Sequence, residues 1–208
     1  PKRRTRAQIA RENGLEPLAQ LIEEQGKALL PLEQLAAMHL DEEKGIVTVE
    51  DAWQGACDIV AENISDSAEV RKLLRKELWN AGELVSELII DEKEAPEFLQ
   101  YRDYSEPVRQ LPPHRILAMN RGEDKKALKI NLRCPDEKLI AKVAQKLNLK
   151  EQSPFYTYYH NALTDSYKRL LLPSLERELR NELTEKAEKQ AISVFAANLR
   201  QLLLTQPI

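Results

Sequence analysis

The sequence is poor in the residues that specialised chemistry draws on. Its six glycines are dispersed over 208 residues, and neither a G-x-G-x-x-G nor a G-x-x-x-x-G-K-[ST] phosphate loop can be read in it. The two cysteines, Cys57 and Cys134, stand far apart, and the three histidines, His39, His114 and His160, are scattered. A zinc site needs close ligand pairs, so no metal site is expected. A disulfide framework is equally unsupported, which fits a reducing cytoplasm. G-x-S-x-G and H-E-x-x-H are absent too, and without a nucleophile set or spaced metal ligands the chain is read as non-enzymatic and without cofactor. Apolar blocks such as Ile59–Ala61 and Leu170–Leu172 are short, far below the ~20 residues of a membrane helix. Pro1 is followed by Lys2, Arg3 and Arg4 with no apolar core behind them. That is not a secretory signal. It reads as an internal start, so the chain is expected to be an excised part of something longer.

What is present points to a folded, helical, soluble protein. Hydrophobic residues make up 42% and charged residues 31%, too apolar for a disordered chain. Leu, Ala, Glu, Lys, Arg and Gln dominate, the residues that lose least entropy in a helix. The length suits one large domain or two small ones.

Helix signals recur along the chain. Thr5 and Gln8 have capping-box spacing ahead of a short helix over Arg6–Glu12, with Asn13-Gly14 as its stop. Pro17 opens a helix with Leu18, Leu21 and Ile22 in a stripe that ends at Gly26. Pro31 starts another, and Asp41–Gly45 is a charged turn. Thr48 and Asp51 begin a helix in which Ala52, Trp53, Ala56, Ile59, Val60 and Ile64 recur at helical spacing. Ser65–Ser67 separates it from a helix buried through Val70, Leu73, Leu74 and Leu78. Residues 84–90 are β-branched and partly alternating, and 128–133 alternate cleanly, so the two are expected to pair. Residues 91–110 read as irregular, pinned by Tyr101 and Tyr104. Pro113 starts a helix that Asn120-Arg121-Gly122 ends. Asp136 opens another, with Leu139, Ile140, Val143 and Leu147 inside. Ser153-Pro154 caps a helix carrying Phe155, Tyr158 and Tyr159, which Pro173 kinks or breaks. A final stripe, Leu175, Leu179, Leu183, Ala187, Ala191, Val194 and Leu202, runs to Thr205. A helix of that length would be roughly 45 Å long and should brace several neighbours or reach toward another domain.

The expected fold is therefore mainly α. It is an elongated multi-helix domain with one small antiparallel β element, about 84–90 with 128–133, and a long C-terminal helix. The expected organisation is a basic segment and short helix over 1–14, then a helical central domain over 15–208 with a β insertion at about 84–133.

Charge is the one binding signal. The formal net charge is −3, which argues against a uniformly basic nucleic-acid binder. Residues 1–11, however, hold Lys2, Arg3, Arg4, Arg6 and Arg11 with no acid, and such side chains can neutralise phosphates and release counterions. Arg115 and Arg121 form a second candidate patch. Carboxylate pairs such as Glu23-Glu24 and the run Asp41–Glu43 read as solvated helix ends and turns. The rings of Phe155, Tyr156, Tyr158 and Tyr159 could stack on bases, but their spacing favours core packing. His114 reads as a polar contact at a helix start.

The head PKRRTRAQIARENGLEPLA, the segment HRILAMNRGEDKKAL and the tail RNELTEKAEKQAISVFAANLRQLLLTQP together resemble the bacterial Tex family of transcription accessory proteins. The resemblance covers nearly the whole chain and is most specific at the head and tail. It implies the central helical region of a larger cytoplasmic protein. Family members carry an RNase-H-like (YqgF-type) domain, helix-hairpin-helix modules and an OB-fold, all outside these residues, and are similar in architecture to a eukaryotic elongation factor that travels with RNA polymerase. The implied role is a scaffold that positions modules binding RNA or DNA. A rival role is a docking module for RNA polymerase or a ribosomal partner, using the acidic surface of residues 41–110.

Overall fold

A computed structural model describes residues 4–204. Its elements run α1 (Arg6–Glu12), α2 (Glu16–Glu24), α3 (Leu32–Ala37), α4 (Val49–Asp66), α5 (Ala68–Ala81), β1 (Glu83–Leu88), β2 (Asp103–Pro107), α6 (Pro113–Asp124), β3 (Leu128–Arg133), α7 (Asp136–Lys146), α8 (Tyr156–Asp165) and α9 (Leu172–Leu204). The fold is mainly α with one small antiparallel sheet and a long C-terminal helix. The chain divides into two compact units, Pro1–Leu74 with Asp136–Ser174, and Arg75–Pro135 with Leu175–Ile208.

The first unit is built on α4. Thr48 and Asp51 form a reciprocal cap: Asp51 N–H donates to Thr48 Oγ1 at 3.1 Å, and Thr48 N–H donates to Asp51 Oδ2 at 2.8 Å. The stripe Ala52, Trp53, Ala56, Ile59, Val60 and Ile64 is buried along its whole length. Gly55 allows the α1–α2 corner to approach, since a Cβ there would lie 2.3 Å from Leu15 Cδ1. On another face, Trp53 stacks on Tyr158 of α8 with ring centroids 4.4 Å apart, and Ser166 Oγ donates to Ala61 O at 2.7 Å. The expected stop of α2 at Gly26 is displaced by one residue. Gln25 takes the left-handed conformation, φ 52°, and its side chain is committed: Nε2 donates to Asn148 O at 3.2 Å and Oε1 accepts from Lys150 N–H at 2.7 Å.

The second unit holds a three-stranded sheet in the order β2-β1-β3. Leu84 faces Leu132 and Leu88 faces Leu128 in the β1–β3 register. The β2 strand lies inside the stretch expected to be irregular. Its sequence, DYSEP, is polar and ends in proline, as an edge strand tolerates. It is held by the backbone ladder to β1 and by the packing of Tyr101 edge-on against Tyr104.

Two helix boundaries also differ from expectation. Helix α6 does not stop at Gly122 but continues to Asp124. Gly122 is buried in the last turn of the helix, where a Cβ would lie 2.4 Å from Leu128 Cδ1 and 3.2 Å from Phe98 Cδ1. Its job is close approach, and the turn into β3 is made by Lys126 at φ 57°. Pro173 likewise does not break its helix. The six residues Ser166–Leu171 wind as a π-helix directly before it, a local change of hydrogen-bond register of the kind that accommodates irregularities inside helices.

The anticipated stripe on α9 is only half buried. Leu175, Leu179, Leu183 and Ala187 are buried, whereas Ala191, Val194 and Leu202 are exposed. The cause is the end of the packing partners, since the helical period itself continues.

Candidate nucleic-acid contacts and the C-terminal helix

Of the basic head, Lys2 and Arg3 lie outside the described residues. Arg4 and Arg11 sit on or beside α1, a helix capped by Thr5, whose Oγ1 accepts from Gln8 N–H at 3.0 Å. Both arginines are engaged by acids. Arg4 pairs with Glu12 at 3.1 Å in an exposed contact, which contributes little. Arg11 pairs with Glu62 and donates to Asn63 Oδ1 at 2.8 Å. Asn63 in turn donates to Glu23 Oε1 at 2.9 Å. Arg6 is exposed and makes no side-chain hydrogen bond or ion pair among the described residues.

The Arg11–Glu62 contact has a pH signature. Burial alone would raise the Glu62 carboxyl, but the hydrogen bonds from Arg11 and Thr5 and the charge of Arg11 outweigh it, so its pKa is lowered. A lowered carboxyl stabilises the fold above its unfolded value, near 4.3, and that contribution disappears as pH falls through the folded value. Arg11→Gln should cost roughly 1–2 kcal/mol at neutral pH. Urea unfolding at pH 7 and pH 3 should show a smaller difference from wild type at the lower pH.

Arg115 and Arg121 belong to the second unit. The Arg115 guanidinium lies 4.9 Å from the centroid of the Tyr104 ring, donates to the Tyr104 hydroxyl and pairs with Glu106 at 3.4 Å. The sheet edge therefore holds it. Arg121 is exposed and has no side-chain partner among the described residues. Among the described residues the structure thus separates the candidates into tethered cations, Arg4, Arg11 and Arg115, and ones without a side-chain bond, Arg6, whose charge acts on the Asp58 carboxyl, and Arg121. Elsewhere, His114 is exposed at the start of α6. Phe155 and Tyr159 are core, and Tyr158 is half-buried. The Cys57 thiol donates to Tyr158 O at 3.5 Å. Burial, with Asp58 and Asp165 adding to it, pushes its pKa up to about 12, so it is a protonated, unreactive group. No cluster of three or more metal-ligating side chains occurs among the described residues.

The buried half of α9 is fastened by polar contacts that sequence reading missed. Glu176 accepts from Leu132 N–H at 3.0 Å. Asn120 Nδ2 donates to Thr184 Oγ1 at 2.8 Å, Arg180 and Glu123 form a two-point ion pair, and Lys186 lies 4.7 Å from the centroid of the Trp79 ring. Beyond Ala187 the helix presents Ile192 and Phe195, each 68% exposed, followed by Leu199, Leu202, Leu203 and Leu204. Val194 and Phe195 also line a groove of about 400 Å³ with His114 and Leu117 of α6. A sequence signal for this surface did exist, in apolar residues falling off the main stripe.

The family model described as Tex central region-like matches residues 28–195. The chain belongs to this family. Its relatives include Protein tex of Bordetella pertussis, 37% identical over all of this chain and 28% of that protein, and the Transcriptional accessory protein Tex of Neisseria gonorrhoeae, 37% identical over all of this chain and 28% of that one. The human S1 RNA-binding domain-containing protein 1 is 34% identical over 98% of this chain and 21% of its own length. The chain thus spans under a third of the relatives it matches. The Tex match includes both the sheet and the buried half of α9. It ends at Phe195, within the exposed apolar part of the helix.

Proposed function

We propose that this chain is the non-catalytic scaffold region of a cytoplasmic transcription accessory protein, and that it positions modules which bind RNA or DNA. The observation that carries this reading is α9. Its first half is clamped by four buried apolar side chains and several polar contacts, while its last four turns offer large apolar side chains to solvent. A stiff helix anchored at one end is suited to holding another folded part at a fixed distance. The relatives named for transcription and for RNA binding support the setting. Among the described residues, three of the five candidate phosphate contacts, Arg4, Arg11 and Arg115, are already paired with acids, which supports a minor share of binding for this region.

RNA binding measured by fluorescence anisotropy across a salt series tests this reading, with the chain alone beside the full-length Bordetella pertussis relative. The full-length protein should bind with a steep salt dependence and the chain alone weakly with a shallow one. Equal affinity and slope would overturn the scaffold role. If the chain contributes through its basic side chains, charge reversal at Arg3, Arg4 and Arg6 should weaken its residual binding and flatten its slope. Unchanged values would remove the head from the interface.

The rival reading is docking of RNA polymerase or a ribosomal partner through residues 41–110. Exposed carboxylates there, such as Glu42, Glu43 and Glu50, favour it. Retention of polymerase by the immobilised chain, without retention of nucleic acid, would select this reading.

A further inference from the structure

The first unit contains a cavity of about 480 Å³ whose lining includes Arg6, Glu50, Trp53, Tyr158, Asn161 and Asp165. Its volume lies within the range of small-ligand and side-chain pockets. The aromatic part is rigid. Trp53 is 2% exposed and stacks on Tyr158 at an interplanar angle of 18°, with Phe155 behind it at 6.0 Å. Part of the polar lining is spent, with Asp165 held by Arg169 and Gln54 donating to Asp58, and part is not. Among the described residues, Glu50, Asn161 and Arg6 make no side-chain hydrogen bond or ion pair. Trp53 Nε1–H is the one buried side-chain polar atom there without a partner. Glu50, Asn161 and Arg6 are therefore not committed to closing the fold, while the Trp53 indole N–H lies within the packed support beneath the cavity and serves as a reporter of it.

The charge of the lining selects among ligands. It holds one cation, Arg6, against the carboxylates of Glu50 and Asp165. The neighbouring Arg169 is taken up by Asp165, with Nε–Oδ1 3.0 Å, and by Asp58 at 3.8 Å. Burial raises the Tyr158 phenol, and the carboxylates of Glu50 and Glu33 push it the same way. A phosphate would meet those carboxylates. A cation would meet a tyrosine ring and an unpaired glutamate, the combination that attracts ammonium and guanidinium groups. A free amine would engage only Glu50 and the Tyr158 ring, whereas a peptide also brings main-chain groups to the Asn161 side chain on the same lining.

We propose that this cavity receives a lysine or arginine side chain presented by a partner polypeptide. Glu50 supplies the charge partner, Tyr158 on its Trp53 support supplies the ring, and Asn161 is available to the incoming main chain. This goes beyond the scaffold reading and does not depend on it.

The test is a titration of the 208-residue chain followed by the indole N–H resonance of Trp53. The chain has two tryptophans, so Trp79→Phe leaves a single indole signal. The probes are a capped glycine–arginine–glycine tripeptide, its lysine and glutamate counterparts, and an oligouridylate. The arginine and lysine peptides should move the signal saturably, and less so at high salt. The glutamate peptide and the oligouridylate should leave it in place. Glu50→Gln, at an exposed position, should weaken the arginine peptide about fivefold while the helical circular dichroism is unchanged. An equal or larger response to the oligouridylate would make this a nucleic-acid site and overturn the proposal. So would the absence of any response, or undiminished arginine binding by Glu50→Gln.

Discussion

Gly122→Val should destabilise the protein by about 3 kcal/mol. A helix interior normally gains about 1 kcal/mol when glycine is replaced by alanine, so on propensity alone any side chain would be welcome at this position. Packing reverses the sign. The first atom added would lie 2.4 Å from Leu128 Cδ1 and 2.7 Å from its Cγ, and Leu128 is itself 1% exposed with its backbone fixed in the β1–β3 ladder. Valine adds two methyl groups to that collision. Urea denaturation followed by circular dichroism gives the loss directly. Leu128→Ala should cost less in the valine variant than in wild type, because the smaller side chain opens the space the valine needs. Strictly additive losses would show that the two side chains do not compete for space.

Two leucines on the same helix should respond in opposite ways. Leu183→Ala, at a site 5% exposed, should cost roughly 2–4 kcal/mol through lost burial and a residual cavity. Leu202→Ala, at a site 72% exposed, should stay within about 0.5 kcal/mol. Both changes have the same helix propensity effect, so the difference isolates packing. Thermal unfolding of the two variants side by side checks it. A comparable loss at Leu202 would mean that this face is covered in the free chain, and the scaffold reading of α9 would lose its support.

The parts of the fold that were legible are those where one helix face carries the information. The spacing from Ala52 to Ile64 names the buried face of α4, and Thr48 with Asp51 names its start, because both signals are local. The alternation over 128–133 did the same for β3. What failed was non-local. DYSEP has no apolar alternation, and β2 exists because β1 offers it a hydrogen-bonded edge. Gly122, between charged residues, resembles a helix stop, and nothing adjacent in sequence reveals Leu128 and Phe98 closing over it. The stripe on α9 gives a period, but a period does not say where its neighbours end. Charge behaved the same way at the candidate contacts. The sequence shows that Arg11 and Arg115 are basic, yet Glu62 and Glu106, the acids that face them, become partners only through the packing of α1 on α4 and through the unanticipated strand.

The first unit draws on two stretches of chain, Pro1–Leu74 and Asp136–Ser174, and this has a consequence for biosynthesis. Cys57 on α4 meets its carbonyl acceptor at Tyr158, 101 residues later, and the stacked face of Trp53 waits for the same tyrosine. At about 5–20 residues per second, a ribosome leaves that apolar face uncovered for roughly 5–20 s after α4 is made. The packing of α4 is therefore completed only after α8 has left the exit tunnel, so the first unit closes late in synthesis.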